Sequence, residues 1–471
     1  MLFNTLVFWA FFSLVYLLYL LFRKHLRAQN ILLLIASYIF YGYWDWRFLA
    51  LLLTSTVLDY FCGLKIYHSP TQPAGKKFLI LSVAGNLTIL GFFKYFNFFV
   101  ESTTWLLQRI GLPAPDYFLR IALPIGISFY TFQTMSYTID IYRGKMRPTR
   151  DFLNFALFVS FFPQLVAGPI ERARHLLPQI LNPRQITPRF LREGIYLIIW
   201  GLYKKVVVAD NLSRIVDKVF AGHATFYGSE ILISLYAFSL QIYGDFSGYS
   251  DIARGLGRLM GFDIMLNFNL PYFARNLREF WRRWHISLST WLKDYLYISL
   301  GGNRKGKIIT YRNIMITMLL GGLWHGAGWN FVLWGFYWGI LLVIYRLIFK
   351  PNGIKDRTNR FTGFLSMVVT FHLVTFGYLL FRSTSLNQII SLSSSLFGNF
   401  QITPLSIYWL GQLFFFSWFL IVIEVMQFKK GDLDLILHIS PCWRGIFYLI
   451  LAFMIISFGI TGGKEFVYFQ F

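Results

Sequence analysis

EFWRRWHISLSTWLKDYLY (Glu279–Tyr297) and LLGGLWHGAGWNFVLWG (Leu319–Gly335) each set one histidine, His285 and His325, inside aromatic sequence of membrane type, with the basic loop GGNRKGK (Gly301–Lys307) between them. An ionisable side chain at lipid depth costs about 3 kcal/mol or more unless it faces a polar interior or a partner, so both histidines ask for an explanation. For either alone, the plain explanation is a packed imidazole bonded to a backbone carbonyl. Two of them, flanking a basic loop and surrounded by Trp, Gly and Ser, point to a cavity instead.

Outward from this stretch the chain stays apolar. Its 471 residues are 56% hydrophobic, 20% aromatic and 14% charged, too apolar for an ordinary soluble enzyme. Ten runs, from Asn4–Phe22 to Gly445–Ile460, approach the ~20 residues that a bilayer needs. The expected fold class is all-α, a polytopic membrane protein of ten to twelve transmembrane helices. Leu123–Gln133, Phe158–Ile170, Ile286–Gly301 and Ile314–Gly328 are too short or too broken to cross alone. They read as re-entrant helices around a central cavity, because irregular backbone at membrane depth needs protein or water around it. No repeat, low-complexity tract or soluble segment interrupts the chain, so residues 1–471 read as a single domain. The polar pieces Tyr67–Lys77, Arg143–Asp151, Gly301–Arg312 and Lys350–Arg360 are loops. Glu171–Arg192, which mixes basic residues with Leu176, Leu177 and Ile180, reads as a helix lying on the membrane surface.

The net charge of +23 is the positive-inside excess of a polytopic protein, and nucleic-acid binding is excluded. Arg23, Lys24 and Arg27 after the first run put the Met1 end outside, and that run reads as retained, lacking a basic leader and a small-residue cleavage site. Cys62 and Cys442, the only cysteines, have no ligand-type spacing, so neither disulfide nor metal is expected. A haem held between the two histidines is disfavoured, since a pair in this context does not make an electron carrier.

Several longer motifs carry a resemblance. WRRWHISLSTWLKDYLYISLGGNRKG and NIMITMLLGGLWHGAGWNFVLWG are preceded by PIGISFYTFQTMSYTIDIYRG (Pro124–Gly144), FVSFFPQLVAGPIER (Phe158–Arg172) and QIYGDFSGYSDIARGLGRLMGFDIMLNFNLPYFA (Gln241–Ala274), and followed by the closing EFVYFQF. In order and over most of the chain, they resemble the membrane-bound O-acyltransferases, within them the bacterial branch that serves alginate O-acetylation and teichoic acid D-alanylation. The resemblance implies that His325 is the catalytic histidine. It makes His285 the second family position, which varies among His, Asn and Asp.

Acyl transfer from a thioester to a hydroxyl needs a base, donors for the developing oxyanion, and exclusion of water. His325 suits the base, with glycines that allow close backbone approach and with Trp324 and Trp329 expected to wall off solvent. His285 suits an orienting or carbonyl-polarising partner. Arg282, Arg283, Lys293 and Arg304 are candidate contacts for donor phosphates, although most such charges serve lipid headgroups. Asp245 and Asp251, six residues apart with Gly248 permitting a bend, are expected to pair with Arg254 or Arg275 and to prop the His285 segment. No G-x-S-x-G elbow is present.

The resulting expectation is an O-acetyltransferase of the bacterial inner membrane. It takes acetyl from cytoplasmic acetyl-CoA, with no permanently bound cofactor, for O-acetylation of an exported polysaccharide of alginate, cellulose or peptidoglycan type. The resemblance adds a periplasmic esterase-like partner that completes transfer. Direct acylation of a lipid or protein hydroxyl is the alternative within enzymes. A small-solute transporter is the alternative outside them, sharing spans and broken helices but not the need for His325.

Overall fold

The computed structural model describes residues 1–113, 119, 121–166, 168–222, 225–349, 359–460, 462 and 466–467. The loop at Lys350–Arg360 and the closing EFVYFQF therefore lie outside the described residues, except for Asn359, Arg360, Phe466 and Val467. Every regular element among the described residues is helical. Among the described residues, six helices are long and apolar enough to cross a membrane: Trp46–His68, Gln72–Arg109, Trp329–Ile348, Arg360–Arg382, Pro404–Lys430 and Pro441–Phe458. The protein is thus a multi-pass membrane protein. These six do not establish the ten to twelve spans anticipated, and apolar runs do not all become one long helix. Phe152–Val166, for example, breaks at Phe161 and Pro163 into a nine-residue and a four-residue helix.

Contacts divide the chain into two compact units. The first comprises Leu6–Thr187 with Gly257–Ile264. It holds α1 (Leu6–Leu21), α2 (Leu26–Gly42), α3 (Leu49–His68), α4 (Gln72–Leu90), α5 (Phe96–Arg109), α6 (Ile127–Tyr142), α7 (Phe152–Ser160), α8 (Phe162–Leu165) and α9 (Ala173–Leu181). Thr71 caps α4 through the Ala74 N–H, with Pro73 in the first turn, and Asp151 caps α7 through the Asn154 N–H. Helices α3, α4 and α6 are joined by a buried polar cluster. The Asp59 carboxylate accepts from Ser82 Oγ at 2.5 Å and Asn86 Nδ2 at 2.8 Å, and Ser82 meets Thr138 at 2.9 Å. Small hydroxyl and amide side chains that bond across helices are a usual device where lipid supplies no hydrophobic drive.

Helix α9 is not the surface-lying helix expected of Glu171–Arg192. Leu176, Leu177 and Ile180 are buried in the unit, and the Ile180 carbonyl accepts from Asn30 Nδ2 at 2.9 Å. Its leucines cover protein, a destination that an amphipathic pattern alone does not distinguish from lipid. At its start His175 Nδ1 lies 2.8 Å from Glu171 Oε2. That bond holds the imidazole pKa above 6.5, burial opposing it, with Asp263 adding to the rise and Arg258 resisting it. A raised folded-state value means that the contribution is complete below the unfolded pKa and is lost as pH rises through the folded one. The thermal midpoint in detergent should therefore fall between about pH 6 and pH 8. An identical fall in His175→Gln would remove this pair as the cause.

The second unit comprises Pro188–Leu256 and Met265–Phe471, with Leu2–Thr5. Its elements are α10 (Pro188–Leu202), α11 (Asp210–Phe220), α12 (Gly228–Leu259), α13 (Leu277–Arg283), α14 (Ile286–Trp291), α15 (Lys307–His325), α16 (Trp329–Ile348), α17 (Arg360–Arg382), α18 (Leu386–Gly398), α19 (Pro404–Lys430), α20 (Leu435–His438) and α21 (Pro441–Phe458). A π-helical turn, Tyr203–Ala209, links α10 to α11. Helix α12 runs unbroken for 32 residues, so Gly248 makes no bend. It makes room instead: a Cβ there would lie 2.7 Å from the Gly201 carbonyl, and one at Gly201 would lie 2.5 Å from the Gly248 carbonyl. The two backbones approach closely at this seam, in the manner of small-residue packing in membranes.

Candidate active site

His325 is the last residue of α15, and the turn Gly326–Gly328 leads straight into α16. Ile314–Gly328, expected to be too broken to cross alone, is mostly the end of one 19-residue helix. Two glycines bring the hairpin together at this level. A Cβ at Gly322 would meet the Phe331 carbonyl at 2.2 Å, and one at Gly335 the Met318 carbonyl at 2.4 Å. His325 is buried at 5% exposure among three rings, with centroid distances of 5.1 Å to Trp324, 4.9 Å to Trp334 and 5.3 Å to Phe381. Trp329 is 56% exposed at the first turn of α16. Trp334 and Phe381 are rings that sequence reasoning did not place against His325.

His285 sits between α13 and α14 with φ 42° and ψ 56°, the left-handed region that L-residues other than Asn, Asp and His rarely adopt. Asn267 holds it there. Its carbonyl accepts the Ile286 N–H at 2.9 Å, and its Oδ1 accepts the Ser287 hydroxyl at 2.8 Å and lies 3.1 Å from His285 Nδ1. Asn267 Nδ2 in turn donates to Ser250 Oγ on α12 at 3.1 Å. With Oδ1 as acceptor, His285 carries its proton on Nδ1, which makes Nε2 the basic nitrogen. Phe246 packs edge-on against the ring at 4.6 Å. Trp324 lies between the histidines, its ring 5.8 Å from His285 and 5.1 Å from His325. Asparagine tolerates the left-handed backbone and retains a hydrogen bond, so His285→Asn should keep transfer within about tenfold, while His285→Ala should lose about a hundredfold. Equal losses in a transfer assay would assign the imidazole a proton-carrying role instead.

Asp251 makes the expected pair with Arg254, and both acids also find lysine partners that were not expected. Lys205 bridges Asp245 at 2.8 Å and Asp210 at 3.0 Å, while Lys204 reaches Asp251 at 2.6 Å. Arg254 makes a longer contact to Asp251, 3.4 Å, and the Arg275 backbone N–H donates to Glu279. Asp245 also accepts the Val467 N–H at 2.7 Å, and Phe466 packs on Phe246 at 5.4 Å. The acids thus brace α12, whose Phe246 backs His285. Nearby, Glu424 on α19 accepts the Tyr243 hydroxyl at 2.5 Å.

The expected phosphate contacts differ in their surroundings. Arg283 is engaged by Glu279 at 2.8 Å and by the Asn269 carbonyl at 3.0 Å. Arg282, Lys293 and Arg304 are exposed. Arg304 precedes the first turn of α15 and His325 ends the last, so about 27 Å of helix separates their ends. Asn267, Trp334, Phe381, Lys204 and Lys205 are the site residues that sequence reasoning passed over. The signal for Asn267 was available: a polar amide inside MLNFNLPYF.

A basic residue at the end of a helix, enclosed by aromatic rings and sharing the Trp324 ring with a second held histidine, is an arrangement suited to proton transfer away from water. Residues 145–381 match the membrane-bound O-acyltransferase family, and the chain belongs to it. It is 46% identical over 384 residues to a probable alginate O-acetylase of Pseudomonas syringae pv. tomato, covering 81% of this chain and 72% of that one. It is 36% identical over 432 residues to a peptidoglycan O-acetyltransferase of Helicobacter pylori, covering 84% and 80%. To a teichoic acid D-alanyltransferase of Bacillus subtilis it is 31% identical over 270 residues, covering 55% and 68%. The chain is accordingly an O-acyltransferase.

Proposed function

We propose that the whole chain, 1–471, acts as one transfer domain in a bacterial inner membrane, its Met1 end outside, moving acetyl from cytoplasmic acetyl-CoA for O-acetylation of an exported polysaccharide. His325 takes the proton of the accepting hydroxyl as that oxygen attacks the thioester carbonyl. The C–S bond breaks, and the imidazole returns the proton to the departing sulfur. His285, held by Asn267 with Nε2 as its basic nitrogen, orients the reactants beside Trp324. Arg282 and Lys293 remain the candidates for donor phosphates, and a periplasmic esterase-like partner completes transfer to the sugar. The observation that carries this reading is the ring-enclosed His325, in a chain whose relatives are named for O-acetylation of alginate and peptidoglycan. Purified protein given acetyl-CoA should release CoA faster when polysaccharide and partner are supplied. Release stimulated only by lipid or protein hydroxyls would replace the acceptor class.

Sidedness is a separate expectation. The loop Gly301–Gly306 should face the cytoplasm, by the positive-inside bias, with the acceptor approaching from the far end of α15. In a protein with Cys62 and Cys442 replaced by Ser, Arg304→Cys should resist a membrane-impermeant thiol reagent applied to intact spheroplasts and react after lysis. Labelling from outside would reverse the drawn topology.

A further inference from the structure

Beside His325 the protein keeps polar hydrogens that it does not use. The indole N–H groups of Trp281, Trp334 and Trp338 are shielded from solvent, with no hydrogen-bond acceptor among the described residues. Buried indoles ordinarily find a partner, and leaving such a donor unmet costs about 1–3 kcal/mol. The three rings form one cluster, Trp281 lying 5.9 Å from Trp334 and 4.9 Å from Trp338. Trp338 is the outlying case: its Nε1 packs toward Gly377, where an added Cβ would sit 3.3 Å away, so that N–H fills a close helix contact. Trp334 is different. Its ring is 4.9 Å from His325 in edge-to-face contact, and its other ring neighbours include Phe381 at 5.7 Å. A resident water would need two to four polar partners, and these aromatic surroundings offer few. An acceptor for this N–H has to arrive with the substrate.

Resting on the reading of His325 as the base, we propose that the Trp334 indole N–H is the donor that steadies the acyl carbonyl oxygen during transfer. As the hydroxyl oxygen bonds to the carbonyl carbon, the carbonyl π electrons move to its oxygen, and the Trp334 N–H bonds that developing oxyanion. When the carbonyl re-forms, the C–S pair leaves on sulfur, which takes the proton from His325. A fixed donor in a dry site acts on the transition state more than on bound substrate, so its loss should appear in kcat rather than in KM.

Trp334→Phe keeps an aromatic ring against His325 and removes only the donor. Transfer from acetyl-CoA by the purified full chain should show kcat lowered about 10²-fold, with KM for acetyl-CoA changed less than about threefold. Trp334→His, which restores a ring N–H, should recover part of that loss, and Trp338→Phe should behave as wild type. Thermal unfolding identifies any variant that has not folded, and Trp334→His against wild type then carries the comparison. A Trp334→Phe protein with kcat within threefold of wild type, beside an inactive His325→Ala, would overturn this inference and leave the base in place. Full activity in His325→Ala would overturn the reading beneath it.

Discussion

Alanine in place of His325 should lower acyl transfer by about 10²- to 10⁴-fold, the range for loss of a positioned acid or base, with membrane insertion and thermal midpoint little changed. The reason for expecting an intact fold is local. His325 closes α15, and the close backbone contacts at Gly322 and Gly335 bring α15 and α16 together without its ring, while Phe331 of α16 meets Phe381 of α17 at 5.2 Å. Steady-state rates on purified protein, compared at equal amounts of monodisperse sample, check this. Wild-type turnover by His325→Ala would remove the imidazole from the chemistry.

The second large effect should fall on stability. Lys205, Asp210 and Asp245 are each less than 5% exposed, one cation between two carboxylates. Lys205→Met leaves both carboxylates without their counter-ion, and breaking a buried pair in this way costs about 3–5 kcal/mol. The variant should accumulate poorly and unfold well below wild type in detergent. The triple variant Lys205→Met, Asp210→Asn, Asp245→Asn should regain most of the loss, because a neutral trio needs no counter-charge. If the triple variant is as unstable as the single one, packing at the π-helical turn accounts for the loss rather than charge.

The two histidines were legible in the sequence because a titratable group inside an apolar run stands out by composition alone, whereas the hairpin that turns at His325 was not, its first limb reading as a broken piece. The partners were not, and for identifiable reasons. Lys204 and Lys205 interrupt the apolar run Gly194–Ala209 as plainly as the histidines do theirs, yet cations near the end of a span read as positive-inside residues. Asp245 and Asp251 point to different sides of α12, and each meets one of two consecutive lysines in a π-helical turn, a register that no 3.6-residue pattern anticipates. Trp329 and Trp334 are equally aromatic and lie four and nine residues after His325 in the chain. Only the packing of α16 against α15 and α17 decides that Trp334 faces inward, its ring meeting both His325 and Phe381. Glycine at 248 reads as a hinge in one dimension and is a seam in three.

The left-handed turn at His285 bears on how this position can change over evolution. The residue types attributed to it by family resemblance, His, Asn and Asp, are the non-glycine residues that enter that region of backbone space most readily. Substitution there is filtered by conformation before chemistry is tested. A lineage could exchange the imidazole for an amide or a carboxylate in one step without rebuilding the loop, while Gln or Glu, of matching polarity, would have to pay for the turn as well. The short alphabet at this position therefore does not by itself measure how much the reaction depends on a titrating group.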